Sequence, residues 1–382
     1  MAPSALWFQG RRQSFFLWQH GAVMLAEHPI LARQPISGPC AWRGFEIAKS
    51  TRWLHELSAT HLGEIDAALA AVRARGLAWH QITRDTFPLA ELALALGETA
   101  RELEDGSGMM KLRGLPVARY SSDELKQVWF GLGCHLGRPV YQNRRGELMR
   151  EIRNEGAEVG AKYGQVKSDA GAFLSSYART LSNGALRYHT DRTDVVGLLC
   201  VGQARSGGVS KLCSSAAVHN EMLRRRPDLL EVLYQPIIRS RFGEEASGPD
   251  ETYPLPVFGV RDGKSTSHYS LTYIEVAQMV PDVAPLSSAQ REAIEMLMTL
   301  AEELSFEMRL EPGDMQFLNN HVIYHGRTPF LDDPGKGMSR LLYRLWLSAP
   351  NSRALPPDHA VLWGNVDAGS LRGGIGQTES QA

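Results

Sequence analysis

The spacing of apolar residues changes partway along the chain, and this change limits the folds open to it. In the first third, apolar residues recur at helical spacing over 60–75 and 89–105. A third helix is predicted to begin at Ser121, which is followed three residues later by a glutamate, and to end near Gly137. From about residue 185 onward the pattern becomes one of short apolar runs separated by glycine and proline.

These short runs predict strands. They lie at 194–203, 209–213, 268–274, 305–310, 314–318, 321–325 and 340–348, and two predicted helices interrupt them at 215–235 and 288–304. Many short strands with tight turns favour a sandwich or barrel whose outer face is covered by helices. The sequence therefore predicts an α+β protein with a mainly β core and flanking helices.

The length of 382 residues suits one large domain with additions. We expect an extension over residues 1–40, one domain over 41–360 and a loose tail over 361–382, which is rich in glycine, serine and glutamine. The segments 141–165 and 240–268 are polar, contain glycine and are poorly periodic, so they are candidates for a lid.

Composition narrows the partners and the compartment. The formal net charge is −1, so the sequence indicates neither a nucleic acid nor an anionic membrane as partner. No apolar run approaches the length of a membrane span. The four cysteines are scattered without a closely spaced pair, which favours a reducing cytoplasm. A small-molecule partner is expected, and a homo-oligomer is compatible with the sequence.

A histidine and an aspartate separated by one residue are the strongest chemical signal. His189 and Asp191 directly precede the predicted strand 194–203. In an extended segment they point to the same side, about 7 Å apart, so they can converge on one ion. With a second histidine they would form the triad that leaves positions open on Fe(II).

Other histidines compete for these roles. His219 and Glu221 have the same spacing, but they lie in a predicted helix, where side chains two residues apart diverge by about 200°. We assign this pair to a helix surface. For the second histidine, His321 and His325 are both available, and four residues of strand span about 13 Å, so only one of them can bind. Spacing alone does not choose between them.

Two arginines lie on one face of the predicted strand 340–348. Arg340 and Arg344 share that face with Leu342 and Trp346, whereas the opposite face is entirely apolar. Guanidinium groups among bulky apolar side chains need anionic partners. A charge count suggests one such anion. Fe(II) bound by one aspartate and two neutral histidines has a net charge of +1. Dianionic 2-oxoglutarate would change the net charge of the site to −1, and one arginine would bring it to zero.

Together these residues resemble the taurine dioxygenase and clavaminate synthase-like group of Fe(II)/2-oxoglutarate oxygenases. The matching residues follow the family's order and are His189, Asp191, Gly207, Gly208, Ser210, Gly313, Asp314, Asn320, His325, Arg327, Arg340 and Arg344. The resemblance implies a double-stranded β-helix, the jelly-roll architecture. It also implies an enzyme that needs Fe(II), 2-oxoglutarate and O₂, and that oxidises a C–H bond of a small, anionic or amino-acid-like molecule while releasing succinate and CO₂.

The resemblance further assigns roles to single residues. It selects His325 as the second histidine ligand and makes His321 structural. Arg340 would bind the distal carboxylate of 2-oxoglutarate, assisted by Ser210, where the family usually has threonine. Arg344 would meet an acidic group of the substrate.

The resemblance leaves the reaction outcome open. Hydroxylation, desaturation, cyclisation and cleavage are all known in the family, whereas the carboxylate of Asp191 argues against a halogenase. The sequence leaves two other interpretations of the function open. One is a non-catalytic jelly-roll binding protein, and the other is a metal enzyme, such as a cupin-type oxygenase or a zinc hydrolase, that does not use 2-oxoglutarate.

Overall fold

The computed structural model describes residues 33–163, 165–168, 171–241 and 252–376. The described residues from Pro35 onward form one compact unit. Residues 1–32 of the expected extension over 1–40 lie outside the described residues, as do residues 242–251 of the candidate lid 240–268.

Eleven helices and nineteen strands are found among the described residues of this unit. The helices are α1 Gly44–Ile47, α2 Ala59–Ala74, α3 Glu91–Asp105, α4 Ser122–Leu136, α5 Val159–Tyr163, α6 Ser176–Thr180, α7 Ser215–Arg225, α8 Pro227–Leu233, α9 Leu271–Ala277, α10 Ser288–Glu303 and α11 Ala360–Trp363. The strands are β1 Leu54–Glu56, β2 Met109–Arg113, β3 Arg138–Pro139, β4 Met149–Ile152, β5 Gln165–Ser168, β6 Gly171–Leu174, β7 Leu186–His189, β8 Val195–Gly202, β9 Ser206–Gly207, β10 Ser210–Ser214, β11 Ile237–Ser240, β12 Thr252–Leu255, β13 Phe258–Arg261, β14 Lys264–Ser267, β15 Phe306–Met308, β16 Met315–Asn319, β17 Ile323–Arg327, β18 Phe330–Leu331 and β19 Leu341–Ser348.

Two sheets carry the fold. The larger one has seven strands in the order β1-β2-β16-β8-β19-β3, with β4 also paired to β19. The smaller one has the order β15-β10-β17-β7. All these neighbours are antiparallel except β1 and β2. The predicted α+β class with a jelly-roll core is confirmed.

Alternating side chains of the strands build the layers. On β19, Leu342 and Trp346 pack in the core between the two sheets, together with Leu212 of the smaller sheet. Tyr343 and Leu345 point the other way and pack with α2, α3 and α4. The two faces predicted for this strand are confirmed, and the face with the arginines is the one turned toward the inside of the jelly roll.

Helix boundaries follow local capping. The amide of Ser121 donates to Glu124 Oε2 at 2.9 Å, and the amide of Glu124 donates to Ser121 Oγ at 3.3 Å, so α4 begins where the sequence predicted. The predicted helix 215–235 is divided into α7 and α8 at Pro227, which cannot continue the preceding backbone hydrogen bonds.

The prediction of a strand over 268–274 is wrong, because α9 begins at Leu271. The segment is apolar and β-compatible, but Ile274 packs with the helices that cover the smaller sheet, and Val276 is also buried. Tertiary packing overrode local propensity here. No helix among the described residues is long and apolar enough to cross a bilayer.

The described part of the expected loose tail, residues 361–376, differs from that expectation. Trp363, Arg372 and Ile375 are buried. Arg372 Nε donates to Asp194 Oδ1 at 2.8 Å, so this part of the chain is held to the core by a buried ion pair. Glycine and serine content predicted looseness because composition does not show a partner far away in the sequence.

Candidate metal centre

Strand register brings two histidines together. In the antiparallel pair of β7 and β17, His189 lies directly opposite His325. Their ring centroids are 4.2 Å apart. Since directly opposed residues in such a pair share one face of the sheet, both imidazoles point into the same space between the sheets.

Asp191 completes the cluster from the loop between β7 and β8. Its Oδ1 lies 3.8 Å from His189 Nε2, and its Oδ2 lies 3.8 Å from His325 Nε2. One ligand atom from each of the three residues falls within 4.8 Å of the others. Two imidazole nitrogens and one carboxylate oxygen at this spacing suit a divalent transition-metal ion such as Fe(II).

Neighbouring groups hold these side chains in place. His189 Nδ1 lies 2.9 Å from the carbonyl oxygen of Arg187, which leaves Nε2 for an ion. The indole Nε1 of Trp346 donates to Asp191 Oδ2 at 2.9 Å. The backbone amide of Asp191 donates to Asn320 Oδ1 at 3.0 Å.

The protonation states suit metal binding. Burial lowers the pKa of His325 to about 3 and also lowers the pKa of His189, so both rings are neutral near pH 7. Burial alone would raise the pKa of Asp191, but the positive charge of Arg344 and the hydrogen bond from Trp346 lower it below its ordinary value. The cluster therefore offers two neutral nitrogens and a carboxylate.

The competing histidines lie elsewhere. His321 is buried, with Nε2 2.8 Å from Asp194 Oδ1 and Nδ1 3.0 Å from Thr266 Oγ1, so its ring is engaged in structural contacts. His219 and Glu221 lie on α7, as predicted, but both are buried rather than on a helix surface. Glu221 accepts from three arginines, which explains why a helix so rich in arginine buries a carboxylate.

Arg340 faces the same interior as the three candidate ligands. It is 5% exposed, and its Nη1 has no hydrogen-bond partner among the described residues. Burial lowers its pKa to about 10, which still leaves it charged. Gly208 has φ +70°, and a Cβ there would lie 2.9 Å from Arg340 Cδ, so the glycine leaves room for the guanidinium. A buried cation with an unused donor requires an anion.

The cavity around Arg340 contains the rest of the predicted site. It is lined by His189, Asp191, Ser210, Gln316, His325, Arg327, Arg340 and Arg344, among others. Ser210 Oγ lies 3.5 Å from Gln316 Oε1. Arg327 is fixed by donating to the carbonyl oxygens of Ser182 and Gly184 at 2.7 Å and 2.6 Å. The structure thus brings all six predicted site residues to one place.

Arg344 joins this cavity to a second one. Its Nη1 lies 3.6 Å from Asp191 Oδ2, and its Nε donates to Gln142 Oε1 at 2.7 Å. The second cavity includes Arg179, Arg187, Arg192, Thr272 and Ile375 in its lining, together with His189, Asp191 and Arg344. A substrate here would lie beside the metal ligands.

Sequence reasoning missed several supporting residues. Trp346 was placed on the correct strand face, and its position two residues after Arg344 could have suggested a contact with the site. Gln142 carries no such signal, because it lies 202 residues from its partner Arg344. Gln316 gave no signal either, since an isolated glutamine in a strand has many possible roles.

Residues 73–346 match the model of the taurine catabolism dioxygenase TauD, TfdA family, which is more than half of the chain. The chain belongs to this family of dioxygenases. The resemblance derived from the sequence, and with it the enzyme class, is confirmed.

Relatives agree with this assignment. The chain is 28% identical over 334 residues to FR-33289 synthase of Streptomyces rubellomurinus, covering 85% of this chain and 94% of that protein. It is 31% identical over 331 residues to the taurine hydroxylase-like protein SAT17 of Stachybotrys chartarum, covering 86% and 81%. Among solved structures, asparagine oxygenase in complex with Fe(II), 3-hydroxyasparagine and succinate matches with a TM-score of 0.58 and 16% identity, covering 84% of this chain and all of that one. The last comparison shows a shared fold.

Proposed function

We propose that the protein is an Fe(II)- and 2-oxoglutarate-dependent oxygenase in which His189, Asp191 and His325 bind the iron. The observation that carries this proposal is the convergence of three ligand atoms within 4.8 Å, next to a buried guanidinium with an unused donor. A facial arrangement of two histidines and one carboxylate leaves coordination positions for a cosubstrate and O₂.

Arg340 and Ser210 hold the distal carboxylate of 2-oxoglutarate in this proposal. A guanidinium binds a carboxylate through two parallel hydrogen bonds, which satisfies the Nη1 donor that the described residues leave unused. Arg327, which lies in the same cavity and whose pKa burial lowers to about 9, adds positive charge. The cosubstrate would therefore enter a cavity whose described lining contains one carboxylate, that of Asp191.

When bound, iron with 2-oxoglutarate and O₂ supplies the oxidation, in which the cosubstrate loses CO₂ to become succinate and one oxygen atom is used on a substrate C–H bond. The chain contributes the rest. Trp346 and Arg344 orient the carboxylate of Asp191, and the register of β7 and β17 fixes the histidines. The second cavity positions the substrate carbon beside them.

The substrate we propose is a small anionic or amino-acid-like molecule. The second cavity is lined by arginines on β19, α6 and β7, and by Asp191 as its one described carboxylate. Arg344 is the arginine nearest the candidate ligands and would meet an acidic group of the substrate. The solved asparagine oxygenase, which shares the fold, contains a hydroxylated amino acid.

We place the protein in the cytoplasm, in keeping with its four free cysteines. Small molecules are the partners we propose. Neither a nucleic acid nor a membrane is part of the proposal, because the net charge of −1 offers no general attraction to either. A homo-oligomer remains compatible with it.

The decisive experiment measures succinate release and O₂ consumption together. Purified protein with Fe(II), 2-oxoglutarate and a panel of amino acids and small acids should form succinate in step with O₂ uptake. Leaving out iron or 2-oxoglutarate should stop both. A cupin-type enzyme or a zinc hydrolase would turn over without 2-oxoglutarate, and a binding protein would form no succinate.

Replacing Arg340 by lysine should raise the 2-oxoglutarate concentration needed for half-maximal succinate formation on the order of ten- to a hundredfold, because a two-pronged pair becomes a single contact. Arg309→Lys is the matched control, since Arg309 is half-exposed and pairs with Glu311 on the surface. Equal 2-oxoglutarate dependence in both variants would show that Arg340 is not the anchor.

A further inference from the structure

We infer that residues 372–376, here called the C-terminal strap, form a wall of the substrate cavity and that Ile375 limits the size of the substrate. The inference rests on the proposed function for the identity of that cavity. Ile375 is 3% exposed and lines the second cavity together with His189, Asp191 and Arg344. No sequence pattern indicated such a role for this end of the chain.

A buried ion pair fixes the start of the strap. Arg372 Nε donates to Asp194 Oδ1 at 2.8 Å, and Nη2 donates to the carbonyl oxygen of Arg353 at 2.7 Å. The side chain of Arg372 is fully buried, and its backbone amide donates to Ser348 Oγ at 3.1 Å. Since removing one partner would leave a buried charge, the strap is held firmly at this point.

Two backbone hydrogen bonds then join the strap to the site. The amide of Gly374 donates to the carbonyl oxygen of Arg192 at 2.7 Å, directly after Asp191 in the chain. The amide of Ile375 donates to the carbonyl oxygen of Tyr141 at 2.8 Å, directly before Gln142. The strap therefore touches both the loop that carries the candidate carboxylate ligand and the segment that holds Arg344.

This close approach depends on glycine. Gly373 and Gly374 have φ +76° and +72°. A Cβ on Gly373 would lie 2.9 Å from the carbonyl oxygen of Arg192, and one on Gly374 would lie 3.0 Å from that of Tyr141. The glycine-rich composition that suggested a loose tail instead lets the backbone lie against the site.

The side chain of Ile375, which follows the two glycines, is placed to limit the size of the substrate. Ile375 packs with Val140 and Trp346 in the core between the sheets while it also lines the cavity. Where the wall of a binding site is apolar, as it is at Ile375, one methylene changes discrimination between substrates by about ten- to two-hundredfold. The length of the side chain at 375 should therefore set which substrates fit.

The first test asks whether the side chain at 375 reaches the cavity, and it needs neither metal nor turnover. Cysteine in the variant Ile375→Cys should react with methyl methanethiosulfonate at least about tenfold faster than the native Cys200 and Cys213, as followed by peptide mass spectrometry. Those two thiols are fully buried and line none of the cavities described above, so they are internal controls. A reaction no faster than theirs would overturn the inference.

The second test asks whether the residue selects substrates. Ile375→Ala and Ile375→Phe are compared with the unchanged protein for succinate formation with alanine, asparagine, lysine, arginine and taurine. We expect Phe to disfavour the larger accepted compounds by about tenfold relative to the smaller ones, and Ala to do the opposite. Ile294→Ala, a substitution of the same size in the core outside the smaller sheet, should leave the order of preference unchanged.

An unchanged order in both Ile375 variants would overturn the role in selectivity. If no compound gives succinate with the unchanged protein, the proposed function fails, and the labelling rates still decide whether the strap lines the cavity.

Discussion

His325→Ala should abolish succinate formation and lower the affinity for iron by on the order of a hundredfold or more, because loss of a metal-orienting neighbour alone costs up to about that much. The ring of His325 is opposite His189 and 3.8 Å from Asp191, so no other described histidine can replace it. Iron content after desalting and succinate release are the two measurements.

His321→Ala is the matched control for His325→Ala. His321 lies four residues earlier and contacts Asp194 and Thr266 instead of the cluster. We expect this variant to melt at a lower temperature but to keep its iron in the folded fraction. If His321→Ala lost iron and His325→Ala kept it, the proposed ligand set would be incorrect.

Asp194→Asn should destabilise the protein by about 3–5 kcal/mol, the typical cost of removing one partner of a buried ion pair. The carboxylate of Asp194 accepts from Arg372, from His321 and from the backbone amide of Ala349. Asparagine keeps the shape but leaves the Arg372 guanidinium buried without a counter-charge. Urea denaturation followed by fluorescence gives the change in the free energy of unfolding.

The double variant Asp194→Asn/Arg372→Met is the control for this prediction. Arg372→Met in the Asp194→Asn background should cost clearly less than Arg372→Met alone, since the charge that it removes is already unpaired. Additive losses would mean that the two side chains do not stabilise each other.

The contribution of Asp194 to the free energy of unfolding should depend on pH. Burial alone would raise the pKa of Asp194, but His321 and Arg372 lower it below its ordinary value. A carboxyl whose pKa is lowered on folding stabilises the protein above the ordinary carboxyl pKa and loses that contribution as the pH falls toward the lowered value. The difference in unfolding free energy between the unchanged protein and Asp194→Asn should therefore shrink on acidification through that range.

Local patterns were enough to predict many of the elements. Capping residues fixed the start of α4 at Ser122 and of α10 at Ser288, because a cap is a contact between residues three apart. Alternation predicted both faces of β19, because the side-chain period of a strand is two. The same rules failed for 268–274, where a short apolar segment became α9.

Partners far apart in the chain could not be predicted in this way. Gln142 binds Arg344 across 202 positions, and Asp194 binds Arg372 across 178. No rule of sequence spacing predicts either pair, since each contact depends on how the sheets, the loops and the strap pack. The burial of Trp363, Arg372 and Ile375 depends on such contacts and not on composition.

The amino-acid sequence by itself determined the α+β class, the family, and the short list of residues that could bind iron and a dicarboxylate, because these depend on residue types at local spacing. Spacing alone did not choose between His321 and His325, and the family resemblance selected His325. The tertiary structure supplies the physical reason, since the register of β17 against β7 places His325 opposite His189. It also decided where residues 372–376 lie, because the buried charge of Asp194 pairs with Arg372 and Ile375 then lines the cavity beside the candidate ligands.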